Sequence, residues 1–400
     1  MRNIIFIYFL LTSFCVGNHA QITPTQKNEE LITIDLDNLP EADTLRLSSL
    51  FKPAKTIILE TNENCLIGGI NAIQAFDDYL FVLDMQGANS LFVFNREGKF
   101  IRKIGSIGKG PGEYSMVMDF TIDPDKREFY LLDINTNRIH QYTLEGVYLR
   151  TVTSLCDARI KSIQYHNGAL FTEVKSYSGA NDCMLQKMDP EYGHCEAYYL
   201  SAAQYNLGWN EYYFVNTLSR FYGKTGQSPK FVQMFMDTVM TIRQGALIPY
   251  LAVKSKNWIS ANDLKNAIQK DPSEWHRYLS MRKNISFNIQ NYMENEKIIF
   301  FSYERGDRRS NTILYDKISH TAIDPKIIRN DLMYVGSGLD VKFHFYDRAG
   351  AYYCITTAAL GFFIEEIEQN KLNPDLDKYA QLKELTEESN PVVFYYEYRD

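Results

Sequence analysis

Between residues 105 and 150 the chain alternates apolar runs of four to six residues with short turns rich in Gly, Asn and Asp. The runs Phe129 to Asp133, Asn137 to Tyr142 and Val147 to Arg150 are too short for helices and rich in aromatic and β-branched residues. They predict short antiparallel strands. The unit recurs. Val82 to Asp84 aligns with Leu131 to Asp133, Leu91 to Phe94 with Ile139 to Tyr142, and Glu97-Gly98 with Glu145-Gly146, a step of 48 residues between the two glycines.

Each recurring position has a physical reason. Gly98 and Gly146 follow Glu in a tight connection, where glycine takes positive φ without steric penalty. Asp84 and Asp133 end apolar strands, where a short carboxylate bonds backbone N–H groups of the following turn. A four-stranded sheet cannot bury both of its faces alone. Stacking such sheets around an axis buries them and leaves only short edges, so a period of about 40–50 residues predicts propeller blades.

At the glycine-rich entry Gly105, Gly108, Gly110, Gly112 to Tyr114, and on through Asp123, Asp133, Asn137 to Ile139 and Gly146, the chain resembles NHL-type propellers. More narrowly, it is similar to the secreted bacterial six-bladed β-propeller family. The resemblance is strongest over residues 45–155. It departs at Ser115 to Met118, where NHL repeats commonly carry a proline. It implies an all-β fold: six four-stranded antiparallel blades, with later-blade motifs at Asp237 to Met240 and a closing motif at Asn390 to Phe394.

Residues 1–20 read as an export signal, with Arg2, an apolar run from Ile4 to Leu11, and a cleavage site near Ala20. Residues 21–30 are a polar leader, and 31–400 are expected to form a single propeller domain. Ile32 to Leu36 and Thr56 to Leu59 read as strands; one or both should join the last blade beside Val392 to Tyr396, so that the two ends of the chain close the ring. Two departures from β pattern are helical. In a short insertion at about 260–283, Ser260 and Asp263 make a capping box and Asp271-Pro272 starts a second helix. A C-terminal helix at about 374–388 is capped by Asn373.

Composition sharpens this picture. Tyr 28, Phe 24 and 45% hydrophobic residues in 400 suffice for one large β core. A net charge of −7 argues against a nucleic-acid partner, since phosphate contacts need a basic face. No stretch after the export signal is long and apolar enough to span a bilayer. Cys15 offers a lipoprotein anchor, but the bulky Phe14 before it favours a soluble exported or cell-surface form. Five cysteines then remain (Cys65, Cys156, Cys183, Cys195, Cys354), too scattered for a disulfide framework. Only Cys183 and Cys195 suggest a pair, and buried thiols are the simpler reading.

No catalytic or metal motif is present, and no cofactor is implied. The glycine-rich loop lacks the Lys-Ser/Thr and helix of a phosphate cradle. His140, His166, His194, His276, His320 and His344 have no metal-ligand spacing. The ligand-binding candidates are Trp209, Tyr212, Tyr213, Trp258 and Trp275, aromatics in the least repetitive third of the chain that can stack on a sugar or a protein partner, or else pad the inserted helices. The sequence therefore predicts a monomeric, exported, non-catalytic binding or scaffold module for a glycan, peptide or protein. The competing reading is an extracytoplasmic lyase or hydrolase with its site in the central funnel.

Overall fold

The computed structural model describes residues 31–156, 158–175, 183–207, 221–223, 228–268, 279, 281–282, 284–306, 310–336, 343 and 345–399. They form six antiparallel sheets arranged as a six-bladed propeller. Blade 1 is Ala72–Phe76, Tyr79–Asp84, Ser90–Asn95 and Phe100–Ile104. Blade 2 is Val117–Asp123, Glu128–Asp133, Arg138–Thr143 and Tyr148–Thr153, so the two aligned repeats are successive blades. Blade 3 runs from Arg159 to Ser201, blade 4 from Phe221 to Lys254, and blade 5 from Ser286 to Arg329. Blade 6 combines Phe345–Tyr346, Gly350–Ile355 and Val392–Glu397 with Lys55–Ile58.

The turns are built as their residues dictate. Gly98 and Gly146 have φ of 95° and 85°. The buried Asp84 carboxylate accepts the N–H groups of Gly87 at 2.7 Å, Ala88 at 2.9 Å and Gln86 at 3.2 Å. It also reaches back to Gly68 N–H at 2.7 Å, fastening the connection that enters the blade. Asp133 repeats the device with Asn135 and with Ser115 and Met116 of its own entering connection. Burial opposes ionisation of Asp133, but these N–H bonds, led by Ser115, outweigh it and hold its carboxyl below the ordinary aspartate range.

Asp84→Asn keeps the shape but turns an NH2 group toward backbone donors. It should cost about 2–4 kcal/mol, because charge-assisted bonds are lost and buried donors are left unpaired. The urea midpoint measures this, and a change under about 0.5 kcal/mol would show that Asp84 is dispensable.

The glycine-rich entry is a connector. Ser106–Ile107 pairs with Glu113–Tyr114, Glu113 accepts the Gly110 N–H at 2.7 Å, and the Tyr142 hydroxyl of blade 2 donates to the Gly112 carbonyl at 2.5 Å. These contacts tie blade 1 to blade 2.

The N-terminal segment wraps three blades. Ile32–Asp35 adds a fifth strand, parallel to Leu251 to Lys254, on blade 4. Glu41–Arg46 does the same beside Asp324 to Arg329 on blade 5. Lys55–Ile58 then becomes the outer strand of blade 6, pairing antiparallel with Val392 to Tyr395. Of the two N-terminal strands considered for the last blade, the second is there and the first lies two blades away.

The helices differ from expectation in extent. Ala261–Ile268 is present with its capping box, Asp263 N–H donating to Ser260 Oγ at 3.2 Å and Ser260 N–H to Asp263 Oδ2 at 3.1 Å. The second predicted helix of that insertion lies largely outside the described residues. Within 374–388 the helix is one turn, Tyr379–Leu382. Asn373 does cap the first bend, accepting the Asp375 N–H at 3.1 Å, but Lys378 at φ 56° breaks the backbone before a longer helix can form. The longer C-terminal helix is Thr357–Glu368, which buries Leu360, Phe363 and Ile367.

Candidate functional site

Antiparallel topology divides the connections between the two ends of each blade. Those joining strands one to two and three to four are short, reaching seven residues at most at 223–229. The strand two-to-three and blade-to-blade connections leave the opposite end. Among the described residues they include 105–116, 202–207, 255–268, 330–336 and 356–391, so the described elaboration gathers on one face. A propeller scaffold that keeps one end tight and elaborates the other presents its variable surface there.

Trp258, in the 255–285 connection, is half-buried on that face. One side of its indole packs on a satellite core of Phe235, Ile259, Leu264, Leu279, Ile285 and Phe287, and its Nε1–H donates to the Phe235 carbonyl at 3.3 Å. It is thus partly padding, as one of the two readings has it. It also lines two clefts. One, of about 340 Å3, is bounded by Lys256, Asn257, Asp263, Arg282 and Asn284. The other, of about 350 Å3, is bounded by Asp35, Asp37, Asp237, Lys254 and Lys256.

The walls are set by local bonding. Asp37 of the N-terminal wrap accepts the Lys256 N–H at 2.8 Å and the Ser255 hydroxyl at 3.1 Å. The bond from the Lys256 N–H is the main reason its carboxyl sits below the usual range. Asp263 caps its helix and pairs with Arg282 across the first cleft. Asp237 is exposed, and its carboxylate accepts the Thr238 hydroxyl at 2.7 Å. An aromatic edge between two walls of mixed acid, base and amide offers stacking plus many donors and acceptors.

Of the five aromatic candidates, only Trp258 can be placed. Trp209, Tyr212, Tyr213 and Trp275 lie outside the described residues. Sequence reasoning missed Asp35, Asp37, Asp237, Lys256 and Arg282, which converge from the N-terminal wrap, blade 4 and the insertion.

The buried charges of the ring interior serve as ties between blades. Glu173 of blade 3 is fully buried and meets Lys161 at 3.4 Å, Ser162 Oγ at 2.7 Å and Gln233 Nε2 of blade 4 at 3.2 Å. Asp119 of blade 2 accepts the Ile163 N–H of blade 3 at 2.9 Å. Glu294 of blade 5 pairs with Lys230 of blade 4 at 3.3 Å and Lys317 at 3.4 Å, and accepts from Tyr292. Burial depresses the Lys230 ammonium despite that partner, and Lys230 also lies 4.4 Å over the Tyr250 ring. His140 is buried, which depresses its pKa, and its Nδ1 meets Thr151 Oγ1 at 2.9 Å. Among the described residues no group of three or more His, Cys, Asp or Glu side chains could hold a metal ion. No helix among them is long and apolar enough to cross a membrane.

Fold and face together define a six-bladed propeller with one elaborated end. The chain belongs to the DUF4934 family, a domain of unknown function, which matches residues 31–397. No curated protein matches it. Among solved structures it is similar to a protein described as exported from Bacteroides fragilis, at 18% identity and TM-score 0.72, covering 93% of this chain and 100% of that one. A DUF4221-family member from Bacteroides vulgatus is similar at 13% identity and TM-score 0.52, covering 87% and 97%. At these identities the likeness shows the fold.

Proposed function

We propose that this is an exported, non-catalytic binding module whose ligand is taken on the elaborated face beside Trp258. The apolar N-terminal run and the likeness to a protein described as exported support an extracytoplasmic location. The observation that carries the binding role is the pair of clefts sharing Trp258 and Lys256. A hydroxyl-rich ligand, a glycan chain, suits this lining: the exposed part of the indole gives a stacking edge, and the carboxylates, amides and ammonium groups bond hydroxyls. The enzyme reading gains less support, because the buried carboxylates described above are occupied in joining blades.

The test is titration of the purified chain against a panel of bacterial and host glycans, with Trp258→Ala and Asp237→Ala beside the native protein. Both variants should bind the selected glycan about tenfold more weakly, the loss expected for a central contact. Asp237→Ala should melt as the native protein does, since Asp237 is exposed and, among the described residues, its carboxylate bonds only the neighbouring Thr238. Undiminished binding by both variants would move the site elsewhere, and turnover of a bound glycan would replace this reading with the enzyme.

A further inference from the structure

Two cysteines from different blades come together at the periphery of the ring. Leu155, in the connection leaving blade 2, donates its N–H to the Gly193 carbonyl at 2.9 Å. The approach is so close that a Cβ on Gly193 would strike the Thr153 carbonyl oxygen. Cys156 and Cys195 follow directly on these touching segments. The Cys195 side chain packs on the hydrophobic cluster that contains Cys156, and its Sγ lies 3.7 Å from the Ala197 carbonyl oxygen. Cys156 is 8% exposed, whereas Cys195 is half-buried. Cys183, the partner considered from sequence, is held away: it sits opposite Ser201 in the ladder while Cys195 sits opposite Met188, at the other end of the hairpin.

We propose that Cys156 and Cys195 are a dithiol–disulfide site that takes an external disulfide as its oxidant. The Cys195 thiolate attacks one sulfur of that disulfide, breaking its S–S bond and releasing one thiol once the leaving thiolate is protonated. The Cys156 thiol then loses its proton, attacks Cys195 Sγ and expels the second thiol. Two protein thiols and one disulfide become one protein disulfide and two small thiols. The division of labour follows exposure: the half-buried sulfur meets the reagent, and the buried one resolves the intermediate. The neighbouring Cys156 thiol is the chief cause that brings the Cys195 thiol down to about 7, where thiolate is abundant at neutral pH. The product bond pins the connection leaving blade 2 to the outer strand of blade 3.

The test uses the full chain in glutathione buffers of rising oxidised fraction, followed by alkylation, non-reducing digestion and mass spectrometry. The expected product is a single cross-linked peptide joining Cys156 to Cys195, with Cys65, Cys183 and Cys354 still alkylated. The oxidised protein should melt about 3–6 °C higher than the reduced one. Cys156→Ala should retain glutathione on Cys195, because no thiol remains to expel it. Recovery of both native peptides as alkylated thiols in fully oxidised buffer would overturn the proposal, as would a Cys183–Cys195 link. The native peptide map decides this even where a variant folds poorly.

Discussion

A chain that starts at residue 60 is expected not to reach the native state. The segment removed supplies the outer strand of blade 6 and the fifth strands of blades 4 and 5. It also buries Ile34, Leu45, Leu47, Phe51, Ile57 and Leu59, all at most 7% exposed. Six large apolar side chains at about 1.5–3 kcal/mol each amount to about 10 kcal/mol or more, comparable with the whole net stability of a domain. Phe51 adds ring contacts to Phe343 at 5.3 Å and Tyr398 at 5.1 Å that nothing else replaces. Loss of near-UV circular dichroism and of a cooperative melt measures the outcome. A chain that starts at residue 47 keeps Lys55–Ile58 and Phe51, and should fold with a lowered melting temperature, since it loses only the two parallel additions. If the shorter chain melted within a few degrees of the native one, the closing strand would have no part in holding the ring.

That wrap marks where the sequence stops being legible. A short run of β-branched and apolar residues marked strands at Ile32 to Leu36 and at Thr56 to Leu59, observed as Ile32–Asp35 and Lys55–Ile58. It carries no information about which edge a strand meets, and the parallel pairing of Ile32 with Leu251 spans more than half the chain. The repeat was legible because its turns need particular chemistry. Gly98 and Gly146 stand at positive φ and Asp84 and Asp133 gather backbone donors, so the residues could not vary freely. A glycine at positive φ recurs at Gly193, with φ 77°, but its turn is one residue longer, closed from the Gly193 N–H to the Asp189 carbonyl, and carries Tyr192 where the other two have Glu, which hid the third repeat. The helix Thr357–Glu368 did carry a signal, Leu360, Phe363 and Ile367 at helical spacing. It was masked by the apolar strand Gly350–Ile355 running straight into it. The clefts beside Trp258 were not legible: their walls come from Asp35 and Asp37, Asp237, Lys254 to Trp258, and Asp263, Arg282 and Asn284, and the acidic wall arrives only through the pairing of Ile32–Asp35 with blade 4.

Gly98→Ala is expected to destabilise the protein by about 3–5 kcal/mol, and Gly146→Ala by about 1–3 kcal/mol, although the two glycines occupy equivalent turns. Both hold positive φ, so any side chain adds backbone strain of about 1–3 kcal/mol at either site. Their surroundings differ. At Gly146 an added Cβ would lie 2.9 Å from Ile104 Cδ1 and 3.4 Å from Arg102 Cδ, ends of side chains that can turn aside. At Gly98 it would strike the Ile58 carbonyl oxygen and lie 2.8 Å from its carbon, which is backbone of the closing strand. That strand has no room to retreat: Ile58 faces Val392 in the ladder, and Glu60 N–H bonds the Gly98 carbonyl at 2.8 Å. A rotamer change cannot relieve the clash, so the strand must shift and loosen its pairing with Val392 to Tyr395. Urea unfolding of the two variants side by side measures the difference. Equal losses would mean that only backbone strain operates and that the seam between the two chain ends yields freely. A larger loss at Gly98, with faster proteolysis near residues 55–60, would locate the weakest point of the ring where its two ends meet.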